Sequence, residues 1–270
     1  MELARRKVDL PPALAGVQLK LERAERHLAE IEAVAERVTE GYRTAVVTER
    51  VDERRYVCRL EGAPTLPPEF TTVVGDCLHN QRSALDHLAW QLVLRDGGVP
   101  DRRRTQFPIL LKEPSEGVKV AGGVSEGTVE RLVELQPFTW AKRGTSQESA
   151  ELSPLAVLRR LNNVDKHRGL LVGIAVLAGA SWSIAQDHDV RFVRTGSDRS
   201  LRDGAEFGEF KLESPDSTVH DVRFDFEVRL EEEPEAGLSA RFDLVKWALR
   251  GSLSYIENAV LRRFSKIFEE

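Results

Sequence analysis

The chain has 270 residues, 41% of them hydrophobic and 31% charged, and carries a net charge of −5. That length suffices to bury a core, and the acidic balance excludes an undirected electrostatic grip on nucleic acid, although 39 lysines and arginines leave room for a local basic patch. The longest apolar run, residues 169–180, is too short to span a bilayer, the N-terminus lacks an apolar signal core, and Cys58 and Cys77 fit neither a metal pair nor a disulfide framework, so a cytoplasmic, non-membrane protein with reduced thiols is expected.

Pro11 and Pro12 suit the first turn of a helix, and Leu14, Val17, Leu21, Leu28, Ile31 and Val34 follow at helical spacing. A first long helix is predicted over about 10–40, with Gly41 as its stop. Residues 42–61 alternate and are rich in β-branched and aromatic side chains around "VDER", which predicts a β-hairpin. A second long helix is expected over 67–95, ending at "RDGGVP".

Residues 96–124 read mostly as loop, with a short extended piece at "TQFPILL". "SEGTVERLVELQ" carries a serine cap and a short amphipathic helix, the following "PFTWAKRGTSQESAEL" has no strong period and reads as loop, and "SPLAVLRRLNNVDKH" restores helix, for a third helical region over 125–168. Residues 169–232 form a β-rich block, in which Val222, Phe224, Phe226, Val228 and Leu230 alternate as one face of a half-buried antiparallel strand. A last amphipathic helix is predicted over 241–268. The expected fold is α+β: one domain over 1–270, a helical bundle of about four long helices with an inserted antiparallel β-sheet.

The densest chemistry is "HNQRSALDHLAW", residues 79–90. On a wheel of about 100° per residue, His79, Asn80, Arg82, Ser83, Asp86 and His87 make a continuous polar stripe, bordered by Trp90 and opposite an apolar face. Solvated helix faces are usually glutamate- and lysine-rich, and this one has neither, which points to a groove or interface. A second concentration is "LNNVDKHRGL", where Asp165 and Arg168 fall inside the apolar stripe of their helix. Buried charges must be paired, so a structural ion pair, internal or with Arg82 or Asp86, is the plain expectation. The sharper one places Asp165 or His167 opposite the second helix, completing a site.

An arginine and a histidine on one helix suit metal-free RNA cleavage. The imidazole moves a proton at the 2′-hydroxyl or the leaving oxygen, and the guanidinium offsets phosphate charge. Arg82, four residues, then His87 resembles the Arg-x4-6-His motif of the HEPN superfamily, with Ser83 where the superfamily often has Asn, Asp or His. That resemblance implies a helical-bundle ribonuclease, often a toxin or phage-defence effector with an antitoxin or other protein partner. It implies a homodimer that brings two motifs into one cleft, RNA as substrate and no cofactor. Arg82 and His87 would be the catalytic pair with His79 and Asp86 beside them, while Asn80, Ser83, Asp165, His167 and Arg168 would bind or orient substrate. The "HNQRSALDHL" and "NNVDKHR" segments also resemble those of bacterial proteins without an assigned activity.

Two other readings use the same residues. Asp76, His79, Asp86 and His87, with Asp165 or His167, would be ligands of a divalent-metal hydrolase, although Arg82 in their midst would repel a cation. Alternatively, the chain is a non-enzymatic interaction protein whose polar helix is a buried network that fixes helix register.

Overall fold

The computed structural model describes residues 10–143, 148–167, 172–184, 190–193, 201–212, 219–231 and 245–269. The architecture is α+β, with long helices and antiparallel sheet. Contacts divide the chain into two compact units. One comprises the described residues of Met1–Ala29, Thr72–Leu171 and Lys246–Glu270, the other those of Glu30–Thr71 and Val172–Val245.

The first helical turn, Pro12–Leu14, leads into α1, Ala15–Thr44. The helix runs through Gly41 rather than stopping there. A side chain at that position would collide with Pro64, whose Cγ lies 2.6 Å from where a Cβ would stand, so the glycine serves a close approach and not a helix end. The predicted hairpin forms as β1, Val46–Arg50, and β2, Arg55–Leu60, paired antiparallel from Val46 opposite Leu60 to Arg50 opposite Tyr56.

In the second unit, β2 also pairs with β5 (Glu206–Leu212), and β5 pairs with β4 (Val190–Val193), giving the order β1-β2-β5-β4. The two remaining strands, β3 (Val172–Ile184) and β6 (Val219–Glu231), form their own antiparallel pair. The alternation of β6 is realised: Phe224, Phe226 and Val228 are buried, while Arg223 and Asp225 are exposed. Phe207 of β5 meets Phe224 edge-on at 5.0 Å, and Tyr42 of α1 lies 5.5 Å from Phe226. Such aromatic contacts give this unit its core. Cys58 is buried in β2, and that burial pushes its thiol up to about 11, against a lowering contact from Thr48.

The first unit is built around α2, Glu69–Arg95. Its apolar residues Val74, Leu78, Leu85, Leu88 and Leu92 are completely buried. After α2 come α3 (Glu126–Leu135), capped by the Ser125 side chain, then α4 (Pro137–Arg143), α5 (Glu148–Glu151) and α6 (Pro154–His167). The helices α4 and α5 occupy a segment that the sequence reads as loop. Pro137 at the first position of α4 supplies the start that the missing period does not advertise.

Residues 245–268 are helical but change pitch, with π-helical turns at Val245–Arg250 and Ile256–Leu261 around an α-helical Gly251–Tyr255. A widened turn frees a carbonyl, and α2 satisfies it: Gln81 Nε2 donates to Leu249 O at 3.0 Å, and Ser252 Oγ donates to Gln81 Oε1 at 2.5 Å. Gln81 is the polar group that α2 buries deepest. No helix among the described residues is long and apolar enough to cross a membrane.

Candidate functional site: a cationic cavity beside Arg82

The polar stripe of α2 does not act as one surface. Positions 82 and 86 are separated by about 40° around a helix and positions 82 and 87 by about 140°, so only the first pair shares a face. Arg82 and Asp86 form a two-point ion pair, Nε to Oδ2 at 3.2 Å and Nη2 to Oδ1 at 2.8 Å.

Both then turn to the extended segment that follows α2. Phe107 N donates to Asp86 Oδ1 at 3.0 Å, and Arg82 Nη2 donates to Phe107 O at 3.0 Å. Further along, Gln136 accepts from Leu110 N and donates to Pro108 O, and Arg159 donates to Ile109 O. Every one of these backbone partners lies in "FPIL", which has no strand to pair with. Side chains from α2, α6 and the end of α3 take the place of a ladder. The buried Phe107 and Ile109 anchor the segment from below.

Between this segment, α2 and α6 opens a cavity of about 410 Å³. Arg82, Arg104, Lys119 and Arg159 border it with Asn162, and Asp86 is the lone carboxylate among the described residues of its wall. Arg104 is held at its rim by a turn in which Asp101 Oδ1 accepts from the backbone N–H groups of Arg103 and Arg104. Thr105 Oγ1 donates to Ala121 O at 2.6 Å and so ties the loop carrying Arg104 to the one carrying Lys119. Asn162 is buried on α6, and its Oδ1 has no hydrogen-bond partner among the described residues. A buried acceptor left unmatched costs about 1–3 kcal/mol.

The residues singled out in the sequence separate. Arg82 and Asp86 are in the cavity wall. His87 is exposed and is not part of that wall. It faces α1, where its Nδ1 lies 3.0 Å from where a Cβ on Gly16 would stand. His87 is therefore not among the described residues of the cavity that Arg82 borders. His79 is exposed, Asn80 donates to Asp76 O within its own helix, and Ser83 is half-buried.

α6 does approach α2, but Asn162 and Asn163 reach the cavity, not Asp165. Asp165 sits against bare backbone, its Oδ1 lying 2.5 Å from where a Cβ on Gly75 would stand. Arg82 pairs with Asp86, its neighbour one turn along α2. The His167 side chain and Arg168 lie outside the described residues.

The described residues hold no group of three or more His, Cys, Asp or Glu side chains placed to share a metal ion, and Asp86, the central ligand of that alternative, is committed to Arg82 and Phe107. Arg104, Lys119, Arg159 and Asn162 were absent from the sequence-derived set. The signals available for them were the basic run 102–104 and the paired asparagines 162–163. Comparison with protein-family models, with curated proteins and with solved structures found no match to this chain.

Proposed function

We propose that this chain acts on RNA, gripping a phosphate of a single strand in the cavity beside Arg82, as a HEPN-like, metal-independent endoribonuclease on a helical-bundle scaffold. The observation that carries the reading is the convergence of Arg82, Arg104, Lys119 and Arg159 on one cavity, with a single carboxylate among the described residues of its wall. Guanidinium groups suit phosphate because their planar donors match its oxygens two at a time.

Cleavage also needs a proton carrier, and the described residues of the cavity wall include no histidine. We assign that role to the His87 of a second copy, which reaches the cavity of the first; that dimer is the one the HEPN resemblance implies. A toxin or phage-defence role, with an antitoxin as partner, follows from the same resemblance.

The test is cleavage of single-stranded RNA in excess EDTA. The wild-type protein is expected to cut, His87→Ala to bind without cutting, and Arg104→Glu to lose binding. A mixture of the two inactive variants should regain part of the activity, since each mixed dimer restores one complete site. Cutting by wild type with no recovery in the mixture would refute the shared site, and a wild type that neither binds nor cuts RNA would refute the function.

A second reading is favoured by a specific observation: Arg82 and Asp86 direct their hydrogen bonds at each other and at the Phe107 backbone. In that reading the network is architectural and the protein binds a partner without catalysis. Asp86→Ala then lowers the melting temperature, and no variant of the set changes RNA.

A further inference from the structure

We infer that the cavity takes a phosphomonoester with a hydroxyl or amino donor close to its phosphate, as in a free nucleotide or the phosphorylated end of an RNA strand. This deepens the preceding reading and rests on it only for the RNA source of the ligand.

The first argument is charge. Arg82 is neutralised by Asp86 and Lys119 by Glu116, at 2.8 and 2.6 Å, which leaves Arg104 and Arg159 as two guanidinium groups on the wall without a carboxylate partner among the described residues. Arg159 is steadied by Ile109 O, a neutral acceptor, so its charge stays available. A phosphodiester carries one negative charge, whereas a phosphomonoester carries about −1.5 to −2 at neutral pH and presents three equivalent oxygens. Two unmatched cations at one cavity fit the second better than the first.

The second argument is the orphan acceptor. Asn162 borders the cavity, is 4% exposed, and its Oδ1 is unmatched. An acceptor is satisfied by an O–H or N–H group, which the phosphate dianion itself does not supply. A ligand carrying both the dianion and a neighbouring donor answers both deficits. The cavity, about 410 Å³, is within the range that encloses a small ligand.

The experiment measures binding in EDTA of a short single-stranded RNA, labelled at its 3′ end and bearing either a 5′-phosphate or a 5′-hydroxyl. Adenosine monophosphate, adenosine and inorganic phosphate serve as competitors. The phosphorylated strand should bind roughly tenfold tighter, the scale of one added charge-assisted contact. Adenosine monophosphate should compete better than adenosine or inorganic phosphate. Arg104→Gln, an exposed substitution, should erase the difference between the two strands. Asn162→Leu should melt at or above the wild-type temperature, since it removes an unmatched buried group, yet bind the monophosphate more weakly; a merely structural asparagine would not separate the two effects.

If both strands bind equally and the monophosphate does not compete, the inference is overturned while RNA binding stands. If the monophosphate binds and neither strand does, the inference stands for a free nucleotide and the RNA function falls. If the wild-type protein binds none of these, both are overturned.

Discussion

At the scale of single residues, the site depends on carboxylates that are saturated with donors. Asp86 accepts from Arg82 twice and from Phe107 N once. Asp86→Ala leaves the Arg82 guanidinium half-buried beside an unmatched backbone N–H, and should lower unfolding free energy by about 2–3 kcal/mol; a chemical denaturation series measures it. Asp96 gives the pH counterpart. Burial pushes its carboxyl up, but donors from Thr128, from Ser125 backbone and side chain, and from Arg95 together hold it below the ordinary value. A group whose folded pKa is depressed stabilises the fold above its unfolded pKa, about 3.9, and that contribution disappears as pH falls through the folded value. Asp96→Asn should therefore lose stability at neutral pH and lose less than the wild type on acidification, as read from melting temperatures between neutral pH and strongly acidic conditions.

At the scale of elements, pattern and packing give different answers for the same residue type. In an isolated helix, glycine to alanine is favourable by about 1 kcal/mol. Gly251 lies in a helix with none of the described residues within 4 Å of an added Cβ, so Gly251→Ala should raise the melting temperature. Gly41 lies in α1 with Pro64 Cγ 2.6 Å from that Cβ, so Gly41→Ala should lower it. Opposite signs in two thermal melts test the account of both helices.

The elements that sequence period specifies, namely the hairpin, α2 and the alternating β6, form as expected, because each is decided by local spacing and a buried face. The continuation of α1 through Gly41 was not legible, since the reason for that glycine is Pro64, beyond the β1–β2 hairpin in sequence. α4 was hidden for a different reason: "PFTWAKR" is too short to show a period.

At the scale of the whole molecule, the distribution of charge matters more than its sum. A chain of net charge −5 nonetheless gathers four cations at one cavity. Those cations come from α2, α6 and two loops, which separates partners such as Arg82 and Arg159 by up to 77 positions in sequence. Only Arg82 and Asp86 could be read in advance, because they are neighbours on one helix. Four residues between Arg82 and His87 suggest a pair; helical geometry turns the two side chains to different neighbours within one chain. Of the polar face of α2, Arg82 and Asp86 reach the cavity wall.

The measurement that tests this most directly is the affinity of wild-type protein and of Arg104→Glu for single-stranded RNA, in EDTA and over a range of salt. The account predicts wild-type binding that weakens steadily with salt, as phosphate contacts require, and a variant that folds normally but binds far more weakly with a shallower salt dependence. Equal affinity of the two proteins at every salt concentration would contradict it.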